Sequence, residues 1–428
     1  MLHDGQSVRV AVVGGTRIPF CRSHSAYKNC TNQDLMVAAL SGVVNRFDLR
    51  SQILGEVALG AVIKHSSDWN LARECVIESG LSPRTPGVDL QRACGTSLEA
   101  AIMVANKIAL GQIEAGIAGG TDTVSDVPLV YPDQYRQLLL EIHRARSKFQ
   151  RFRLMTKIRP KHFLPVFPSV KEPRTGLSMG ESTEAIAKQW FVKREHQDQL
   201  ALSSHIKAAA AYDAGWFEDL ITPFQDVEED NLIRRDTNYQ KLSSLKPVFD
   251  KSGEGTLTAG NSTALTDGAA AVLLSSEEWA RVKNLPIMAY LTYAKSSAVN
   301  FVNDEGLLMA PVYAVSEMLK DANLDLQDFD FYEIHEAFAA QTIATMKAWQ
   351  SDEFCRNKLG REKAMGPIDL TRLNKKGGSI AIGHPFAATG ARIIATMAKL
   401  LQEKGSGRGL ISICTAGGMG VTAIMEAK

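Results

Sequence analysis

Two thiols and two imidazoles in this sequence stand where nucleophilic chemistry can use them. Cys94 lies in QRACGTSLEA, between a strand and the start of a long helix. A thiol at a helix N-terminus feels the positive end of the macrodipole, which favours thiolate and raises nucleophilicity. The small neighbours Ala93, Gly95 and Thr96 let a substrate come close. His384, in AIGHPFAATGAR, is held between Gly383 and Pro385 just before another long helix. An imidazole within reach of a thiol is the base that activates it. His335 opens HEAFAAQ where an extended run, 329–334, meets a helix, with Glu336 behind it. Cys414 closes an apolar strand in ISICTAGGMG, and the small residues after it expose backbone N–H groups suited to a developing oxyanion. Taken singly, each also has a plain structural reading: buried inert cysteines for Cys94 and Cys414, satisfied core or capping histidines for the other two.

The elements that must position them alternate. VRVAVVGGTRIPF reads as a strand buried on both faces. The pattern then predicts a helix over 34–44, a strand over 56–63, a helix over 71–79, a strand over 87–91 and a helix over 96–110, running into the strand-like GIAGGTD. Such alternation argues a layered α/β fold. The pattern is also duplicated. GGSIAIGHPFAATGARIIATMAKLLQEKG reads as a strand, a Gly-rich turn and an Ala-rich helix, and leads into GLISICTAGGMG. GVDLQRACGTSLEAAIMVANKIALG reads the same way and leads into IEAGIAGGTD. Cys94 and His384 occupy equivalent turns of two related halves, so packing the halves together brings thiol and base face to face across one seam.

Between the copies, 128–248 is an insert rich in proline and charge. Within it, 136–161 carries nine Lys or Arg against Glu141 alone, a net charge of +8. Leu138, Ile142, Ala145, Phe149 and Phe152 recur there at helical spacing, which predicts one amphipathic helix face. The chain as a whole is balanced, at +1, and lacks interleaved aromatics on a broad basic face, which argues against nucleic-acid binding. With 428 residues, 45% hydrophobic and 22% charged, it is a globular chain of two or three units rather than a disordered one. It has no apolar run of membrane-spanning length, and its start lacks the pattern of a secretory signal. Six cysteines are too few for a disulfide scaffold, so a reducing, intracellular setting is expected. No GxGxxG, P-loop, CxxC or HExxH is present, so neither a nucleotide loop nor a metal site is expected. Cys21, Cys30, Cys75 and Cys355 have no motif around them; Arg234 and Arg235 read as a solvated pair or as phosphate contacts.

CGTS, NSTALTDGAAA, HEAFAAQ, GHPFAATGAR and CTAGGMG, in that order, resemble the thiolase superfamily, and within it the degradative 3-ketoacyl-CoA thiolases. The resemblance implies duplicated βαβαβαββ halves forming a five-layered α-β-α-β-α core. The halves would be 1–127 with 249–282, and 283–428, with 128–248 as an inserted loop domain covering the active site. It implies cleavage of a 3-ketoacyl-CoA by coenzyme A, the co-substrate, to acetyl-CoA and a shortened acyl-CoA in fatty-acid β-oxidation, with no metal or permanently bound cofactor. Cys94 resembles the nucleophile, His384 its base, and Cys414 the thiol that moves a proton at the acetyl C2. His335 and His384 resemble one oxyanion site; the backbone N–H groups of Cys94 and Ala416, beside Gly417, resemble the other. Ser178, Met179, Thr263, Ala337 and Phe338 resemble positions along the acyl-CoA path.

Four positions depart from the family's usual pattern. His335 replaces a common Asn, as in the branch containing the β subunit of the fatty-acid-oxidation trifunctional complex. Ser178 stands where small-substrate thiolases often carry His, which makes a longer acyl chain more plausible. Ala416 replaces a frequent Gly and Thr263 a usual Ser. In that branch the insert is associated with membrane contact and with a partner subunit carrying hydratase and dehydrogenase activities. The resemblance therefore implies a cytoplasmic homodimer or higher oligomer, with 136–161 meeting an α subunit or the membrane surface. A solvated helix, or one gripping CoA phosphates, is the plainer alternative for that segment. Two other functions stay open: a biosynthetic acetoacetyl-CoA thiolase, and a non-catalytic membrane- or partner-binding subunit. Ketoacyl synthases pair one cysteine with two histidines, so Cys414 speaks against them.

Overall fold

The computed structural model describes residues 8–303 and 305–428; the first seven residues, where the leader reading and the start of the first half fall, lie outside them. Among the described residues the strands are β1 (Val10–Arg17), β2 (Cys21–Arg22), β3 (Glu56–Leu59), β4 (Gly87–Asp89), β5 (Ala115–Asp122), β6 (Thr266–Ser276), β7 (Ala289–Ala298), β8 (Phe331–Ile334), β9 (Arg408–Thr415) and β10 (Met419–Glu426). The helices of the first half and insert are α1 (Asn32–Arg46), α2 (Leu71–Glu78), α3 (Thr96–Ala109), α4 (Asp133–Arg144), α5 (Lys148–Met155), α6 (Met179–Gln189), α7 (Arg194–Asp213) and α8 (Tyr239–Ser243). There follow α9 (Glu277–Val282), α10 (Ala310–Ala322), α11 (Ala339–Gln350), α12 (Asp352–Leu359), α13 (Ser379–Ile382) and α14 (Thr389–Lys404).

The strands join in the order β4-β3-β5-β6-β1-β7-β10-β9-β8. Outward from the middle, β1-β6-β5-β3 in one half answers β7-β10-β9-β8 in the other, which is the duplication read in the sequence. The halves meet at β1 and β7 through only two residue pairs, Ala11↔Tyr290 and Val12↔Ala289. Period-two alternation explains the layers. Val10 and Val12 point into a cluster shared with Leu98 and Val104 of α3 and Ile393 and Ile394 of α14. Ala11 and Val13 point the other way, onto Leu35, Leu40 and Val43 of α1. In the second half Ile411 and Ile413 face the central helices, while Leu410 and Cys414 face Val312, Val315 and Leu319 of α10. Helices therefore cover both outer faces and fill the space between the half-sheets. β1, β5 and β6 are buried along nearly their whole length, so their middles are apolar or glycine and the buried charges Arg17, Asp122 and Asp267 fall at strand ends.

Three local expectations are corrected. SIAI is a single helical turn, α13, and not a strand. The third strand of the second copy shrinks to one parallel bridge, Tyr332↔Leu373. Asn374 takes over there: its carboxamide accepts from the Ile334 N–H and donates to the Ile334 carbonyl, both at 3.0 Å, as a strand neighbour would. The run from Glu56 stops at Leu59 because the N–H groups of Val62 and Ile63 bond the Asp122 carboxylate instead of a ladder. The basic segment is two helices, not one. Ala145 is extended, and the Ser147 hydroxyl caps a new helix by accepting from the Gln150 N–H at 3.1 Å. Its apolar residues diverge accordingly: Leu138 and Ala145 are buried, whereas Phe149 and Phe152 are 79% and 68% exposed.

The segment 128–248 contributes helices α4 to α8 and no strand to the sheet. It is tied down by Asp230, which is fully buried and bonds Arg17 in bidentate fashion at 2.5 and 2.7 Å, the Phe20 N–H at 2.6 Å and the Tyr212 hydroxyl at 2.8 Å. A second tie runs between the copies. Gly120 of β5 lies so close to the loop after His384 that a Cβ there would run into the Ala387 carbonyl. Gly120→Ala is expected to lower stability by about 1–3 kcal/mol through overpacking, read as a lower urea midpoint. An unchanged midpoint would mean that the two copies are not in close contact there.

Candidate active site

Cys94 lies one residue before the Gly95 N-cap of α3. The turn is sharp: Ala93 has φ +44°, a region that residues with a Cβ rarely occupy. Thr96 fixes it, its hydroxyl donating to the Ala93 carbonyl at 2.7 Å and accepting from the Arg92 N–H at 2.8 Å. Glycine is required next, because a Cβ on Gly95 would lie 2.8 Å from Val421 Cγ2 and 3.0 Å from Thr415 Cγ2. The chain thus presses the thiol against the β9–β10 turn of the other half.

His384 follows Gly383, at φ +108°, and its N–H donates to Thr266 Oγ1 at 3.2 Å. The loop is anchored to the first copy twice. The Ala387 N–H donates to Asp122 at 2.8 Å, and the Ala391 N–H, in the first turn of α14, donates to Ser97 Oγ in the first turn of α3, also at 2.8 Å. His335 leaves the end of β8, its N–H donating to the Ser412 carbonyl at 2.9 Å. One ring nitrogen of each histidine and the Cys94 sulfur lie within 4.8 Å of one another. The two ring centroids are 4.1 Å apart, with planes at 48°. His384 Nδ1 is 2.6 Å from Thr389 Oγ1 and His335 Nδ1 is 2.8 Å from Ser379 Oγ. Both Nε2 atoms are buried without a protein partner.

The electrostatics hold this cluster neutral. Burial pushes the Cys94 thiol up to about 12, and the Asp122 charge adds to this; the N–H groups of Ala416 and of Cys94 itself pull the other way. Desolvation outweighs the pull of the helix terminus toward thiolate, so the sulfur rests as a thiol. Burial and the nearby Arg392 cation lower His384 to about 3. His335 is held well below the ordinary histidine value by burial, His384 and Arg392. Cys414 is held well above the ordinary thiol value by burial and by Cys94. Asp122, despite three backbone donors, is raised by burial to about 7.

The other candidate positions divide. Cys414 is the penultimate residue of β9, beside Cys94, and the Ala416 N–H reaches the Cys94 sulfur. Gly417 lies in the following turn with φ +78°. The Thr263 N–H donates to the Ala337 carbonyl at 3.1 Å, Phe338 pairs with Ser262, and Leu265 pairs with His384, so this strand-like ridge runs from the end of β8 to the histidine loop. Ser178 is engaged locally as the N-cap of α6, in a reciprocal capping box with Glu181, and Met179 opens that helix. Sequence reasoning missed Thr389, Ser379, Arg392 and Asp122. Thr389 follows His384 by five residues, a spacing that becomes a contact only through the 3-10 turn at Phe386–Ala388. The donor set of one thiol and two imidazoles also matches soft divalent cations in type, although it lacks a metal-binding sequence motif.

Comparison with known proteins agrees with this architecture. Residues 10–278 match the family model for the thiolase N-terminal domain, and 285–427 the model for the thiolase C-terminal domain. The chain is 40% identical over 429 aligned positions to 3-ketoacyl-CoA thiolases of Yersinia pestis and Yersinia pseudotuberculosis, covering 99% of this chain and 98% of each relative. Among solved structures it superposes on the acetyl-CoA acetyltransferase of Bacillus anthracis (TM-score 0.82, 29% identity, 99% of both chains). It also superposes on human mitochondrial 3-ketoacyl-CoA thiolase (0.81, 27%, 98% of this chain and 99% of that one). A thiolase of Ascaris suum in complex with coenzyme A superposes equally well (0.81, 26%, 98% of this chain and 100% of that one). Two domain models covering almost the whole chain, full-length relatives and a shared fold place the matter beyond the site alone: the chain belongs to the thiolase family.

Proposed function

We propose that this enzyme is a degradative acyltransferase that cleaves 3-ketoacyl-CoA with coenzyme A, releasing acetyl-CoA and an acyl-CoA two carbons shorter. The observation that carries the reading is the convergence of Cys94, His384 and His335 within 4.8 Å, with a second thiol, Cys414, alongside. His384 Nδ1 is engaged with Thr389 Oγ1 at 2.6 Å, and Nε2, which has no protein partner, is the atom that accepts the proton. As the C3 carbonyl of the substrate reaches Cys94, the thiol proton passes to His384 Nε2 and the sulfur bonds C3. The C2–C3 bond then breaks, and its electron pair leaves on acetyl-CoA as an enolate. Cys414, kept a thiol by its buried setting, gives its proton to C2, so acetyl-CoA departs and the acyl group stays on Cys94. Incoming CoA–SH returns a proton to the Cys414 thiolate and attacks the thioester; Cys94 leaves and recovers its own proton from His384. Donors from His335 and His384 meet the enolate oxygen, and the N–H groups of Cys94 and Ala416 meet the oxygen that develops at C3.

We further read 128–248 as an insert over the site, and the remainder as the two halves given above. Thr263, Ala337 and Phe338, joined in one ridge beside His384, suit the arm of a CoA thioester, and Ser178 and Met179 the start of α6 beside it. All six thiols are free, which supports a reducing compartment. No described helix is long and apolar enough to cross a membrane. The oligomer is read as a homodimer or larger, completed by a hydratase/dehydrogenase α subunit. The segment 136–161 is read as its docking or membrane face, because exposed Phe149 and Phe152 stand among nine cations. Each cation near an anionic bilayer adds about 1 kcal/mol.

Cys94→Ala is expected to abolish thiolysis, and His384→Ala to lower kcat about 10²–10⁴-fold. Because the free enzyme holds a thiol near 12 and an imidazole near 3, neither titrates between pH 5 and 9. Iodoacetamide alkylation of Cys94 should therefore keep rising with pH through 9; a plateau near the ordinary thiol value of about 8.5 would contradict the neutral pair. For the basic segment, co-sedimentation should retain the protein on anionic vesicles at low salt and not on neutral ones. Equal retention on both, or none, would remove the lipid reading.

A further inference from the structure

His335 has an unassigned polar escort, and its chemistry decides which nitrogen of the ring carries the proton. Ser379 is fully buried and its hydroxyl has two neighbours, His335 Nδ1 at 2.8 Å and Arg392 Nη2 at 2.9 Å. A guanidinium only donates. Arg392 is itself buried, with a Glu333 carboxyl oxygen 3.6 Å from Nη1, and its Nη2 donates to Ser379. The hydroxyl therefore accepts from Arg392 and retains one proton to give. Among the described residues the acceptor within reach is His335 Nδ1. Were Nδ1 to carry the proton, the serine would accept twice and its own O–H would be buried without a partner, a cost of about 1–3 kcal/mol. Satisfying the Ser379 hydroxyl and His335 Nδ1 together has one solution: Arg392 Nη2–H to Ser379 O, Ser379 O–H to His335 Nδ1, and the imidazole proton on Nε2. That nitrogen has no protein partner, and the ring stands in one cluster with Cys94 and His384.

We propose that Ser379 and Arg392 are positioning residues that fix His335 as a neutral, Nε2-protonated hydrogen-bond donor aimed at the substrate oxygen. The proposal rests on the oxyanion reading of His335 given above. It divides the work of two adjacent imidazoles: His384 is read as the base, and His335, whose Nδ1 meets a hydroxyl already accepting from Arg392, presents a proton. An imidazole in the wrong tautomer would present a lone pair to an oxyanion and repel it. A carboxamide at that position would need no such escort, since its NH₂ always donates.

Two measurements test this. In the otherwise intact chain, Ser379→Ala is expected to lower kcat about tenfold or more, as the loss of an oxyanion donor does, with KM changed less than about twofold and Ser379→Thr restoring most of the rate. In a His335→Asn background, Ser379→Ala should change kcat by less than about twofold, because the pair no longer interacts. Equal losses in both backgrounds would overturn the proposal and mark Ser379 as structural only. The second readout is the ring-nitrogen NMR signature of His335 in the substrate-free protein, expected to show Nε2 protonated and Nδ1 not, with the balance shifting in Ser379→Ala. Protonation at Nδ1 in the unsubstituted chain would overturn it equally. That readout needs no turnover, so it stands apart from any failure of the thiolysis reading.

Discussion

Asp122 ties the two copies of the fold to one another where the chemistry is assembled. Its carboxylate ends β5 of the first copy and takes N–H groups from Val62, Ile63 and Ala387, the last belonging to the loop that carries His384 in the second copy. Ser97 repeats the tie between the first turns of α3 and α14. The sheets themselves share only two residue pairs. The register between thiol and base is thus held by a few buried polar bonds set in an apolar seam. In a low-dielectric interior each is costly to break, because its partner would remain buried and unpaired.

The same burial sets the resting state of the site. A thiol pushed up to about 12 beside an imidazole lowered to about 3 makes a neutral pair, not the thiolate–imidazolium pair of many cysteine enzymes. Charge appears only when a substrate carbonyl arrives to accept the sulfur, and the surrounding N–H donors are then already in place. A neutral resting thiol is also slower to react with stray electrophiles. Arg392, Glu333 and Ser379 form the polar backing of this arrangement, and Glu333 itself is raised to about 8 by its burial.

Much of this was legible in the sequence, for stated physical reasons. Double-sided burial made β1 legible as an apolar run, GIAGGTD read as strand-like, and three-to-four periodicity marked α1. The equivalence of the Cys94 and His384 turns followed from repeated strand–turn–helix order. The misses share one cause, which is that side chains replaced backbone partners. Asn374 substitutes for a strand beside Ile334, Asp122 ends the run after Leu59, and Ser147 splits an amphipathic pattern into two helices that present their apolar residues in different directions. Polar residues that act on a neighbour's hydrogen bonding, such as Ser379 and Thr389, carry no periodic signal and become visible only once the loop is folded.

The central claim is that Cys94 carries the acyl group between the two half-reactions. Intact-protein and peptide mass spectrometry after mixing with a 3-ketoacyl-CoA, quenched in acid before free coenzyme A is added, tests it most directly. The account predicts one thioester adduct, two carbons shorter than the substrate's acyl chain, on the peptide holding Cys94 and discharged by coenzyme A. An adduct on Cys414 instead, or release of acetyl-CoA with no adduct at all, would contradict it.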